Sequence, residues 1–107
     1  MKTTLPMALC AVAVTVSLAT AAGVPSIEQG RELFNSSDLG TNGKRCATCH
    51  AGGKGLGEAA GYDPVRLEKI ANQCIKKALK GKELAPGSVE LASLVMYLQS
   101  LAAVGGK

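Results

Sequence analysis

The chain has no tryptophan, and its 107 residues include only one phenylalanine, two tyrosines and one histidine. Phe34, Tyr62 and Tyr97 are therefore its only large planar core fillers. A domain this small also buries a smaller share of its surface than a large one. Such a thin core calls for help from disulfides, a metal or a bound cofactor. Length excludes a multi-domain enzyme, and an apolar content of 47% excludes a disordered chain. Twelve Lys and Arg against eight Asp and Glu leave a net charge of +4. No concentrated basic stripe interleaved with aromatics accompanies that excess, so nucleic acid is not an expected partner. No stretch alternates polar and apolar residues as a strand does.

One apolar run stands out. Lys2 precedes residues 5–19, which end at Ala19-Thr20-Ala21, a small-x-small cleavage pattern. The run is shorter than the ~20 residues a membrane span needs and contains Thr15 and Ser17. It reads as a secretory signal peptide over residues 1–21, leaving residues 22–107 as one exported, periplasmic domain with no membrane span. Cys10 follows Leu9 rather than the small residue that lipid attachment prefers, so it leaves with the signal. The remaining domain keeps Cys46, Cys49, Cys74, His50 and Met96, with a mild basic excess. Lys76, Lys77, Lys80 and Lys82 concentrate part of it in a patch that can steer an acidic protein partner.

Three helices are expected, which makes the domain all-α. Ser26-Ile27-Glu28-Gln29 has the form of a capping box and opens a helix to about Asn35, with Gly30 inside it for close approach of another helix. Asp63 and Pro64 open a second helix whose stripe is Leu67, Ile70, Ala71, Cys74, Ile75 and Ala78, with Gly81 as its stop. Cys74 falls near the middle of that stripe. Ser88 caps a third, with Leu91, Leu94, Val95, Leu98, Leu101 and Ala102 on one face. Residues 35–44 read as a loop. Residues 51–61, rich in glycine, lack the strand context and the Gly-Lys-Ser/Thr register of a phosphate loop and read as a loop bent around something bulky.

Cys46-Ala47-Thr48-Cys49-His50 is the C-x-x-C-H pattern of covalent haem attachment. Cysteines three apart on a helical turn point the same way, so both sulfurs reach the two vinyl groups of one haem edge. His50 follows, placed to give one ring nitrogen to iron while the other donates to a backbone carbonyl. Three other readings compete. They are a thioredoxin-type redox pair, which wants a βαβ context; a zinc site of Cys46, Cys49, His50 and Cys74; and a Cys46–Cys49 disulfide, which leaves His50 without a role. One covalent haem c also supplies the missing core.

With Gly30 and Phe34 in a Gly-x-x-x-Phe arrangement, Cys46 to His50, and Tyr97-Leu98 near the end of the last helix, the chain resembles the single-haem class I cytochrome c family over about residues 26–104. The resemblance implies a small orthogonal helical bundle around haem c, with first and last helices crossing where Gly30 meets Tyr97. Such cytochromes take their sixth ligand from a methionine before the last helix, and residues 79–90 contain none. Met96 sits within that helix, turned from its apolar stripe, and a second histidine does not exist. Asn72-Gln73-Cys74, with Gly81, Leu84, Ser88, Glu90 and Tyr97, is similar to the haem domains of thiosulfate dehydrogenases and sulfur-oxidation cytochromes, which implies Cys74 as the distal ligand. A vacant or water-bound iron, Met96 or a lysine are the other options. The expected function is single-electron transfer between redox partner proteins. A haem subunit or enzyme of thiosulfate oxidation and a haem-based sensor of a small gas are the alternatives.

Overall fold

The computed structural model describes residues 23–104. The inferred signal peptide, Cys10 and Lys2 lie outside the described residues. Four helices follow in order: α1 Ile27–Asn35, the single turn α2 Cys46–Cys49, α3 Pro64–Lys77 and α4 Val89–Ala103. Short 3-10 turns occupy Ser37–Leu39, Ala51–Gly53 and Gly57–Gly61, within stretches expected to be loops. The described residues contain no strand, and no helix among them is long and apolar enough to cross a membrane.

Each long helix begins at a residue whose side chain satisfies an otherwise orphaned N–H. Ser26 Oγ accepts from Gln29 N–H at 3.1 Å, Asp63 Oδ1 from Arg66 N–H at 2.9 Å, and Ser88 Oγ from Leu91 N–H at 3.2 Å. The expected capping box at Ser26 is completed through a third residue. Ser93 Oγ, fully buried on α4, accepts the Ser26 N–H at 3.0 Å and donates to Gln29 Oε1 at 3.2 Å. The start of α1 is thereby tied to the middle of α4.

The most extensive helix–helix contact joins α1 to α4. It depends on Gly30, because a Cβ there would collide with the Ser93 carbonyl and lie 2.7 Å from Tyr97 Cβ. One turn on, Phe34 meets the Tyr97 ring edge-on, with centroids 5.2 Å apart and planes at 68°. Gly30→Val is expected to cost about 3 kcal/mol, since the colliding atoms are backbone and cannot yield without separating the helices. The drop in urea midpoint of the purified protein measures it.

The apolar pattern of α3 divides into two rows. Leu67, Ala71 and Ile75 are buried, and Ile75 and Ala71 join Phe34, Leu79, Leu91 and Leu94 in the larger core cluster. Ile70, Cys74 and Ala78 form the second row, where Ile70 is half-buried and the other two are exposed. Cys74 is therefore exposed rather than buried, a correction to its expected place at the centre of the buried stripe. A period of 3.6 identifies an apolar face without saying what covers it.

The end of α3 also differs from expectation. The helix stops at Lys77, and Lys80 takes the left-handed conformation, φ 56°, that a glycine would adopt at a helix end. Gly81 serves a different purpose, close approach: a Cβ there would strike the Leu39 carbonyl and lie 2.9 Å from Gly40 Cα.

Candidate functional site

The short helix α2 is one turn between two loops. Thr48 Oγ1 accepts the Arg45 N–H at 2.9 Å, and the His50 N–H donates to the Cys46 carbonyl at 3.0 Å, closing the turn that carries both cysteines. After His50 the chain doubles back. Gly53 and Gly55 adopt φ of 86° and 81°, conformations only glycine takes freely, and Gly55 lies beside the His50 ring. This reversal brings the Lys54 carbonyl to 2.7 Å from His50 Nδ1. A carbonyl only accepts, so Nδ1 carries the proton and Nε2 keeps its lone pair for a metal.

Cys46, Cys49, His50 and Cys74 all line one cleft of about 290 Å³. Its walls are apolar: Phe34 of α1, Leu94 and Leu98 of α4, Leu67, Ile70 and Ala71 of α3, and Ala78 at the end of that helix. Leu56 and Ala59, from the glycine-rich segment, and Tyr62 complete it. Tyr62 is held by the Arg66 guanidinium, 4.1 Å from the ring centroid. Arg45 and Glu58, both exposed, are the charged lining residues.

The three thiols are unpaired. Burial pushes the Cys46 thiol above its ordinary value; the Cys74 charge adds to the rise, the backbone hydrogen bond at Cys46 opposes it, and Cys49 adds again. Cys74 is likewise raised, by burial first and the charge of Cys49 second. The cleft thus resists holding several thiolates together, and at neutral pH Cys46 and Cys74 are protonated thiols.

Among the described residues, no three His, Cys, Asp or Glu side chains gather tightly enough to hold one metal ion, so the zinc set of Cys46, Cys49, His50 and Cys74 is not assembled. The context of a thioredoxin-type pair is also missing, since α2 sits between loops and no described strand precedes it. The donor chemistry fits haem c: two adjacent thiols, an imidazole with a free Nε2, and apolar walls for a flat macrocycle. Met96 is exposed and is not part of the cleft wall.

Two features were only partly legible in the sequence. The Lys54 carbonyl was not identifiable because any backbone offers one, although the glycines around it signal a reversal. Asn72 is buried and holds the Leu84 backbone at both ends, its Nδ2 donating to the carbonyl and its Oδ1 accepting from the N–H, each at 2.9 Å. The sequence marks Asn72 within the Asn72-Gln73-Cys74 run but does not show that Leu84 is its partner. No protein-family model, curated protein or solved structure matches the chain.

Proposed function

We propose that this chain is a periplasmic c-type cytochrome of the small orthogonal-bundle kind that passes single electrons between redox partner proteins. Cys46 and Cys49 would hold one haem c through thioether bonds, and His50 Nε2 and the Cys74 sulfur would ligate its iron. The observation that carries this reading is the His50 Nδ1–H donated to the Lys54 carbonyl at 2.7 Å, beside two thiols on the same apolar cleft. When bound, the haem supplies an iron that cycles between Fe(III) and Fe(II).

The chain's own residues hold, orient and shield. The Lys54 carbonyl fixes the tautomer and ring direction of His50. Phe34, Ile70, Ala78, Leu94 and Leu98 give the cleft apolar walls that exclude water. The only histidine is His50, which leaves little acid–base machinery for turnover. Lys76, Lys77, Lys80 and Lys82 are all exposed, and Lys76 lies 3.7 Å from Glu83. They give an acidic partner a surface close to the cleft.

The test is an absorption and electron paramagnetic resonance spectrum of the exported, purified protein, which reports haem type and both axial ligands. Electron exchange with an acidic redox partner should be rapid and slow as salt rises. Cys74 on the cleft wall gives the thiosulfate-oxidation reading its support; steady-state oxidation of thiosulfate by the isolated protein would replace the carrier with that enzyme.

A further inference from the structure

The segment after α1 locks onto the end of α3 behind Cys74. Three successive carbonyls there receive hydrogen bonds from two residues: Asn42 Nδ2 donates to Ala78 O at 2.9 Å, Thr41 N–H to Leu79 O at 3.0 Å, and Thr41 Oγ1 to Lys80 O at 2.8 Å. These carbonyls lie where a helix end lacks its own donors. Gly40 and Gly81 make the approach possible, since a Cβ on Gly40 would strike the Leu79 carbonyl and one on Gly81 the Leu39 carbonyl. The clamp also holds Lys80 in its left-handed conformation, which a lysine leaves readily when unconstrained.

What is clamped leads directly to the cleft. The N–H groups of Ala78 and Leu79 both donate to the carbonyl of Cys74, at 2.8 and 3.1 Å, and Gly81 N–H donates to Ile75 O at 2.8 Å. Cys74, Ala78 and Leu79 all line the cleft. Residues 41 and 42 thus hold the two residues that hold the cysteine backbone.

We propose that Thr41 and Asn42 are positioning residues that fix the Cys74 wall of the cleft and thereby keep the Cys74 sulfur directed at the iron. The inference rests on the proposed haem site for its last step only. The geometry of the clamp is independent of it. Breaking the clamp frees residues 78–81 to open locally, and opening carries Cys74 with it.

The experiment compares wild type with the exported full-length variants Thr41→Val, Asn42→Ala and both together, with Thr41→Ser as rescue. Ser93→Ala, which cuts the tie between α1 and α4, serves as a control for general destabilisation. Amide hydrogen exchange at Leu79 and Gly81 should accelerate about tenfold in the double variant, with α1 and α4 amides little changed. In haem-loaded protein, cyanide should associate with the ferric iron about tenfold faster and the ferric spectrum should change, with Thr41→Ser restoring both. Ser93→Ala should leave the cyanide rate at the wild-type value.

Exchange that rises equally throughout the chain, or not at all, overturns the clamp. Local acceleration with an unchanged spectrum and cyanide rate overturns the positioning role. If wild type carries no haem c, the proposed function fails separately, and iodoacetamide alkylation of Cys74 then reads the clamp: faster modification in the double variant upholds its hold on Cys74, and an equal rate overturns it.

Discussion

Protein carrying Cys46→Ala together with Cys49→Ala, exported alongside haem-maturation machinery, should run through denaturing electrophoresis with no haem-staining band. Wild type should give one. Thioether bonds survive denaturant whereas iron coordination does not, so the measurement isolates the two sulfurs from His50. A haem-staining band in the double variant would show that the attachment site is elsewhere. The physical stake extends beyond attachment. The cleft is lined by Leu56, Ile70, Ala78 and Leu98, which the chain alone leaves half-buried or exposed on their cleft sides. A ligand that covers those sides stabilises only the folded chain. The double variant is therefore also expected to unfold at a lower temperature than wild type, followed by far-ultraviolet circular dichroism.

Cys74→Ala should alter the ferric spectrum and raise the reduction potential by on the order of 100 mV, within the roughly 0.8 V that axial ligands command. A thiolate donates negative charge and favours Fe(III), so removing it favours Fe(II). Met96→Leu should leave spectrum and potential as they are, because Met96 is exposed and lies outside the cleft wall. An unchanged spectrum in Cys74→Ala would reduce the cysteine to a packing role. Loss of a near-infrared methionine charge-transfer band in Met96→Leu would move the ligand to α4.

Features governed by neighbours in the sequence were legible there. Ser26, Asp63 and Ser88 begin helices because each can reach an N–H three residues on, and that chemistry is local. Gly30 announced a close helix contact, and its partners proved to be Ser93 and Tyr97. Ser93 was not legible as core: it is a hydroxyl inside an apolar helix, buried only because Ser26 and Gln29 arrive from the far end of the chain to satisfy it. Lys80 shows a different limit. Its left-handed backbone goes against its residue type, and its carbonyl is bonded by Thr41, almost forty residues earlier. At the site, the spacing of Cys46, Cys49 and His50 reads directly, but the apolar face of α3 does not reveal that Ile75 is enclosed by protein while Cys74, beside it in sequence, is exposed on a cleft. Periodicity locates hydrophobic surface, and only the arrangement of the other helices decides what covers it.

The union of α1 with α4 also sets an order of events. Ser26 and Ser93, bonded to each other, are separated by 67 positions in the chain. At ~5–20 residues per second of synthesis, roughly 3–13 s pass between the appearance of the first and the second. During that interval α1 has no partner, and the Cys46, Cys49 and His50 segment is already made while the bundle that will enclose it cannot yet close. The segment from Cys46 to His50 is thus open chain first and the wall of a cleft afterwards.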